Sequence, residues 1–479
     1  MRPTFMQRQR FLFAALGLLT LWRWALLPTL ELSPDEALAV FHGNHDDAGA
    51  PYGPGPLLSL LGRAFSVHGE FGVRFFAPVL ALVASLAVWR LARGLFDAQS
   101  AGWAVVILNV LPAFNVAAVT LTSSTVVFAL VPLAALWVRT ALLHANALHW
   151  GWWAAAACVA GTVLAQPPAL GTLAAVALVF ALPQRLRHHL HSTGFVIIAS
   201  AWLLALGGCV LWQGGLGFVW PEWRLIPSVF RWLVLASPLL LALFAVAVRL
   251  AWHRATLLSH RSLPLAMLLP PAALDFFYGP PFRWPDMGGA VWMLFAAILL
   301  AHRGTALGGL AREERISLRT IAVVLAALQS AFIMQTDLPR TLGLRWGFSR
   351  ETTSDYTHFF TADPSRSMRG WKECARLVSA ALPGGEWFVL ADDWRLLVEL
   401  DHYAGRCEPV HSTQEKLAHH AGRDALYVTN DPAATAPPEA VKARFARWEV
   451  LSVARVMHAG NEVRWLKIFA CHDCRAPDL

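Results

Sequence analysis

Ser33-Pro34-Asp35-Glu36 sets two carboxylates just beyond the first long apolar run of the chain, where hydrocarbon would give way to water. An Asp at such a boundary can serve as general base toward an incoming hydroxyl or amine while a phosphate leaving group stays held in the bilayer. The same four residues also read as a helix N-terminus, with Pro34 in the first turn and Asp35 and Glu36 complementing the macrodipole. Both readings stay open at this level.

The elements that must position these carboxylates follow from composition. Of 479 residues, 56% are hydrophobic and only 15% charged, with a mean hydropathy of +0.48, which excludes an ordinary soluble domain for most of the chain. The net charge of +8 does not indicate nucleic acid, because Arg and His sit in short stretches between apolar runs rather than on one face of a soluble fold. The four lysines, Lys372, Lys416, Lys442 and Lys467, all lie in the last quarter. Any anion gripped by the membrane part must therefore be gripped by guanidinium groups.

Arg2, Arg8 and Arg10 precede the apolar run Phe11–Leu30, which lacks an evident small-residue cleavage site and reads as a retained span with a cytoplasmic N-terminus. Ten further runs bring the expected count to about eleven, near 71–88, 101–118, 122–138, 152–164, 169–182, 193–212, 230–248, 263–277, 288–300 and 319–335. Arginines concentrate in alternate connections, at Arg90 and Arg93, Arg139, Arg185 and Arg187, Arg249 and Arg254, and Arg303 and Arg312, so those face the cytoplasm. Arg23 interrupts the first span and should face the bundle interior or snorkel outward. An odd number of spans leaves the C-terminal part outside. The expected organisation is a membrane domain over 1–336, with a first periplasmic loop at 31–70, and a soluble α/β domain over 337–479.

In that second domain, helix-like stretches at 368–382 and 439–448 alternate with strand-like runs at 387–391, 425–429, 450–457 and 463–470. Cys471-His472-Asp473-Cys474 has the spacing of half a zinc site but no second pair at suitable distance, so a disulfide or free thiols are expected.

Three stretches then resemble glycosyltransferase family 39, the polyprenyl-phosphate-sugar-dependent GT-C enzymes that include protein mannosyltransferases and aminoarabinose transferases. Asp35-Glu36-Ala37 is similar to the opening of that family's first periplasmic loop, Glu70-Phe71-Gly72-Val73-Arg74 to the lead into its second span, and Arg283-Trp284-Pro285 to a later outward loop. Met368-Arg369-Gly370-Trp371 and Gly422-Arg423-Asp424-Ala425-Leu426 resemble its soluble tail. The resemblance implies a multi-pass helical GT-C-like bundle in a bacterial inner membrane, with the C-terminal domain periplasmic. It implies inverting transfer of a sugar from a polyprenyl-phosphate donor to a glycan, lipid or protein acceptor, with membrane lipid as partner and no nucleic acid. Asp35 and Glu36 would be catalytic, and Arg74, Arg224 and Arg283 would hold the donor phosphate, although interfacial arginines also serve as snorkelling anchors. No metal ligand is assigned and divalent-metal dependence stays open.

Departures from the family pattern define an alternative. A His-Pro-Pro is replaced by Gly53-Pro54-Gly55-Pro56, a Thr-Pro-Asp by Thr122-Ser123-Ser124, and a lysine-bearing motif by Ala165-Gln166-Pro167-Pro168. Unless His45, Asp46, Asp47 or Tyr52 take over the missing roles, the chain would be a catalytically degenerate relative acting as a binding or assembly subunit. A transporter is a third reading, without the symmetric broken spans that would favour it.

Overall fold

The computed structural model describes residues 5–44, 55–144, 148–165, 193–213, 236–254, 264, 267–268, 292–303, 312–334, 368–382, 387–391, 393–404, 410–412, 420–431, 433–458 and 461–475. They divide into a helical unit, spanning Met1–Leu27, Pro54–Leu58 and Phe71–Met334, and an α/β unit, spanning Pro28–Gly53, Ser59–Glu70 and Gln335–Leu479.

The helical unit begins with α1 (Phe5–Leu26), whose 22 residues rise about 33 Å, enough to cross a hydrocarbon core. After α2 (Pro34–Asn44), α3 (Pro56–Phe65) and α4 (Gly69–Arg74) come α5 (Phe76–Leu95), α6 (Ala98–Val110), α7 (Pro112–Ala117), α8 (Ser123–Leu143), α9 (Trp150–Ala165), α10 (Thr193–Gln213), α11 (Pro238–Arg254), α12 (Trp292–Arg303) and α13 (Arg312–Met334). Among the described residues, four helices are long and apolar enough to cross a membrane, and five shorter apolar helices accompany them. The runs expected near 169–182 and most of that near 263–277 lie outside the described residues.

Leu18, Leu21, Trp22, Leu203, Leu204 and Leu211 are exposed large apolar side chains, the pattern of a surface solvated by lipid. Inside, α5 packs on α6 and α8, and α8 on α9, which in turn packs on α10. A Cβ at Gly194 would stand 2.3 Å from the Trp152 ring, so the α9–α10 approach requires glycine there.

The run read as one span over 101–118 is two helices, because Pro112 has no N–H to give and holds Leu111 extended at φ −65°, ψ 126°. The broken ladder is repaired from the side: Asn115 Nδ2 donates to the Asn109 and Leu111 carbonyls at 2.9 and 3.3 Å. Asn109 Nδ2 donates to Ser85 Oγ at 3.0 Å.

The α/β unit carries a five-stranded mixed sheet of order β2-β1-β3-β5-β4, built from β1 (Phe388–Ala391), β2 (Val410–Ser412), β3 (Ala425–Thr429), β4 (Phe445–His458) and β5 (Asn461–Cys474). β1 runs parallel to β2 and β3, while β5 is antiparallel to β3 and β4. Every residue of β1 and β3 is buried, as strands covered on both faces require. Val389, Ala391, Leu426, Val428, Leu466 and Ile468 face α14 (Trp371–Ala381) and α15 (Trp394–Tyr403), and Phe388, Leu390, Tyr427, Phe445 and Phe469 form the opposite core.

The described residues of the segment expected as a first periplasmic loop, 31–70, are largely helical, and Ala37, Leu38 and Phe41 of α2 join the core of α14 and α15. The stretch read as helix over 439–448 is helical only at α16 (Glu439–Lys442), and from Phe445 it is strand, because twelve residues of β5 offer β4 a ladder.

Candidate functional site

The site is built from the start of α2. Ser33 caps the helix, Pro34 occupies its first position with the φ the helix needs, and Asp35 and Glu36 follow in the first turn. Glu36 is fully buried, and its Oε2 accepts from the Ser33 backbone N–H at 2.9 Å and from Ser33 Oγ at 3.0 Å. The Glu36 N–H donates back to Ser33 Oγ at 3.4 Å, completing a reciprocal capping box. The helix-terminus reading of the motif is thus realised through Glu36, whose carboxylate is engaged locally. Asp35, one residue earlier, is half-buried beside the positive end of the helix.

The residues before this turn are tied to the C-terminal part of the same unit. Glu31 Oε2 accepts the backbone N–H of Trp371 at 2.6 Å. That N–H is an orphan of the first turn of α14, whose cap residue Gly370 has φ +83° and no side chain to offer. A carboxylate 340 positions away in sequence therefore does the capping. Burial is the largest influence on Glu31 and raises its pKa, against the Trp371 amide and the Lys372 charge.

The backbone N–H of Leu32 donates to the Tyr403 hydroxyl at 2.7 Å, and that hydroxyl donates to Glu70 Oε1 at 2.7 Å. Lys372 Nζ closes the group at 2.8 Å from Glu70 Oε1. Burial, reinforced by the Glu399 charge, raises the Tyr403 pKa, so the phenol keeps its proton and remains a donor to Glu70. Under Trp371 lies Arg464, with its guanidinium carbon 3.3 Å from the ring centroid and Nε donating to the Arg369 carbonyl at 2.9 Å. These contacts give Met368-Arg369-Gly370-Trp371 a local purpose, since the motif builds the helix start that receives Glu31.

In the helical unit, Arg74 ends α4 and is fully buried. Arg23 does not snorkel. It is 3% exposed, with Nη2 donating to Asn109 Oδ1 at 3.1 Å and Asn115 Oδ1 at 2.9 Å, and with Phe114 beneath it at 5.5 Å. Arg224, Arg283, His45, Asp46, Asp47 and Tyr52 lie outside the described residues.

At the far end of the sheet, Cys471 and Cys474 are free thiols in the second core, and burial pushes Cys471 up to about 12. His472 between them meets Asp424 at 2.9 Å. Among the described residues no group of three His, Cys, Asp or Glu side chains is placed to hold a metal ion.

No local sequence pattern marks Tyr403, and none gives Glu70 or Lys372 a role. Glu70 was visible as part of a motif, but its partners are more than 300 residues distant, and no local pattern reveals such a pairing.

Residues 54–212, about a third of the chain, match the family model described as dolichyl-phosphate-mannose-protein mannosyltransferase. No curated protein matches the chain in sequence. Among solved structures, ArnT from Cupriavidus metallidurans bound to undecaprenyl phosphate is similar with a TM-score of 0.58 at 15% identity, covering 96% of this chain and 97% of that one. The arabinofuranosyltransferase AftD from Mycobacteria gives a TM-score of 0.52 at 14% identity, over 98% of this chain and 40% of that one. The oligosaccharyltransferase AglB from Archaeoglobus fulgidus, in complex with an inhibitory peptide and a dolichol-phosphate, gives 0.51 at 12% identity, over 84% and 64%. The resemblance read from the sequence is borne out: the chain has a helical GT-C-like fold with several apolar helices, as in membrane glycosyltransferases.

Proposed function

We propose that the chain is a glycosyltransferase of a bacterial inner membrane, moving a sugar from a polyprenyl-phosphate donor to an acceptor at the periplasmic face. The observation that carries this reading is Asp35, held in the first turn of a capped helix that begins eight residues after the first apolar helix ends. The likeness to a GT-C structure bound to undecaprenyl phosphate supports the donor class.

In this reaction Asp35 removes a proton from an acceptor hydroxyl or amine as the heteroatom bonds to the anomeric carbon. The bond from that carbon to the phosphate oxygen breaks on the opposite face, its electron pair leaves with the lipid phosphate, and the configuration inverts. Glu36 fixes the turn that carries Asp35. Arg74, together with Arg224 and Arg283, is assigned to the phosphate, where a partly dehydrated guanidinium stabilises the charge that develops on the leaving group. The membrane domain over 1–336 would hold the lipid, and the domain over 337–479 would lie outside.

A second reading, a silent relative acting as a binding or assembly subunit, is favoured by one feature. At the start of α8, where the related pattern carries a carboxylate, Thr122 and Thr125 form a capping box and Ser124 is buried, so this turn carries only hydroxyls.

The experiment compares glycolipids and glycoproteins from cells with and without the chain, then with Asp35→Asn. A sugar that disappears on deletion, returns with the wild type and stays absent with Asp35→Asn at equal membrane abundance supports the transferase. Full restoration by Asp35→Asn favours the silent subunit.

A further inference from the structure

We propose that Tyr403 is a positioning residue for the transfer reaction: its hydroxyl fixes the backbone from which Asp35 projects, making the C-terminal α/β segment part of the catalytic machinery. This rests on the reading of Asp35 as base.

Three separate stretches of chain meet at this one oxygen. As an acceptor it takes the Leu32 N–H at 2.7 Å, and as a donor it gives its proton to Glu70 at 2.7 Å. Leu32 is fully buried and immediately precedes the cap of α2, so its amide has no water to turn to if the hydroxyl is removed. Glu70 is also engaged by the half-exposed Lys372 at 2.8 Å. One residue earlier, Glu31 is fixed by the Trp371 amide at 2.6 Å, and one residue later Ser33 is fixed by Glu36. Positions 31, 32 and 33 are thus each pinned by a different partner, and Asp35 follows two residues on within a closed helical turn. Below it, Ala37, Leu38 and Phe41 are packed into the core of α14 and α15. A base held this way keeps its orientation without touching Tyr403, and a displacement of about 1 Å at a reacting group lowers rates on the order of 100-fold.

Tyr403→Phe keeps the ring in place and removes only the oxygen. Purified full-length wild type, Tyr403→Phe and Glu70→Gln are compared first by hydrogen exchange. In Tyr403→Phe, amides of residues 31–36 should exchange about tenfold faster, the effect of one lost buried hydrogen bond, while β3 and β5 stay protected. Transfer is then followed as release of polyprenyl phosphate from the lipid fraction extracted from cells lacking the chain. Tyr403→Phe should lower kcat at least tenfold with KM for that donor unchanged, and Glu70→Gln should give a smaller loss in the same direction.

Unchanged exchange at 31–36, an unchanged kcat or an effect confined to KM overturns the proposal. If Tyr403→Phe does not accumulate, the same readings on Glu70→Gln decide it. An inactive Asp35→Asn beside a fully active Tyr403→Phe sinks the positioning role alone, whereas an active Asp35→Asn sinks the transferase reading beneath it.

Discussion

Arg23 in the helical unit and Glu70 in the α/β unit are both charges withdrawn from water, and the two units stabilise them by different means. Arg23 is met by two neutral amide oxygens and an aromatic face, whereas Glu70 is met by a phenol and a half-exposed lysine. Neutral partners let Arg23 join α1 to α6 and α7 without adding a second charge to a lipid-solvated bundle. In the α/β unit, Lys372 keeps its ammonium partly in water, so the ion pair avoids the full desolvation penalty of a buried one. The helical unit uses its polar groups to mend a broken ladder. The α/β unit uses them to bind an N-terminal segment to a C-terminal fold.

The comparison is broken most severely at Trp371. It is 1% exposed, joins the core beneath α14 and carries Arg464 on its face. Trp371→Ala should destabilise the α/β unit by about 3–5 kcal/mol. Pulse proteolysis of the membrane-embedded protein should then cut within 371–475 while the helical unit stays intact, and equal loss of both would show one cooperative fold.

Arg23→Leu should destabilise the helical unit by about 1–2 kcal/mol in detergent-titrated unfolding, since two interhelical hydrogen bonds are lost. Arg23→Lys should recover less than half of it, because an ammonium lacks the planar fork that reaches both Asn109 and Asn115.

Glu31 sharpens the contrast through pH. Its raised pKa means that its contribution to stability is fully present below the ordinary glutamate value and is lost as pH rises through the higher folded value. Glu31→Gln retains an oxygen for the Trp371 amide and has no proton to lose. Its unfolding free energy should therefore fall less than that of the wild type from about pH 4 upward, by under about 1 kcal/mol. A steeper decline in the variant would contradict the burial argument.

Asp424 has the opposite sign. Burial works against its charge but is outweighed by the Asp473 amide and by His472, so its pKa is lowered. Its contribution is present above the ordinary aspartate value and is lost as pH falls through the folded one. With the carboxylate about a third exposed, Asp424→Asn should cost only about 0.5 kcal/mol at pH 7, measured by chemical unfolding, and should flatten the acid limb.

Elements dominated by local signals were legible in the sequence. β3 occupies 425–429 as its β-rich run predicts, and α10 occupies the apolar stretch that begins at Thr193. What was not legible depends on distant chain. The helix Trp394–Tyr403 is not legible locally, because a ten-residue amphipathic pattern beside a strand gives little periodicity to read. Phe445–Trp448 looked helical because no local feature announces the partner strand. At the candidate site, Asp35 and the capping role of Glu36 could be read from four residues. Tyr403 could not, because its role exists only once Leu32 and Glu70 are brought to it.

Everything proposed for the site depends on Asp35 as the base of a sugar transfer that frees a lipid phosphate. That role is tested most directly by reconstituting purified wild type and Asp35→Asn into vesicles with polyprenyl-phosphate sugars extracted from cells lacking the chain, and following polyprenyl phosphate by mass spectrometry. The wild type together with an acceptor fraction should release polyprenyl phosphate steadily, and Asp35→Asn should do so about 100-fold or more slowly. Equal release by the two proteins would contradict that role.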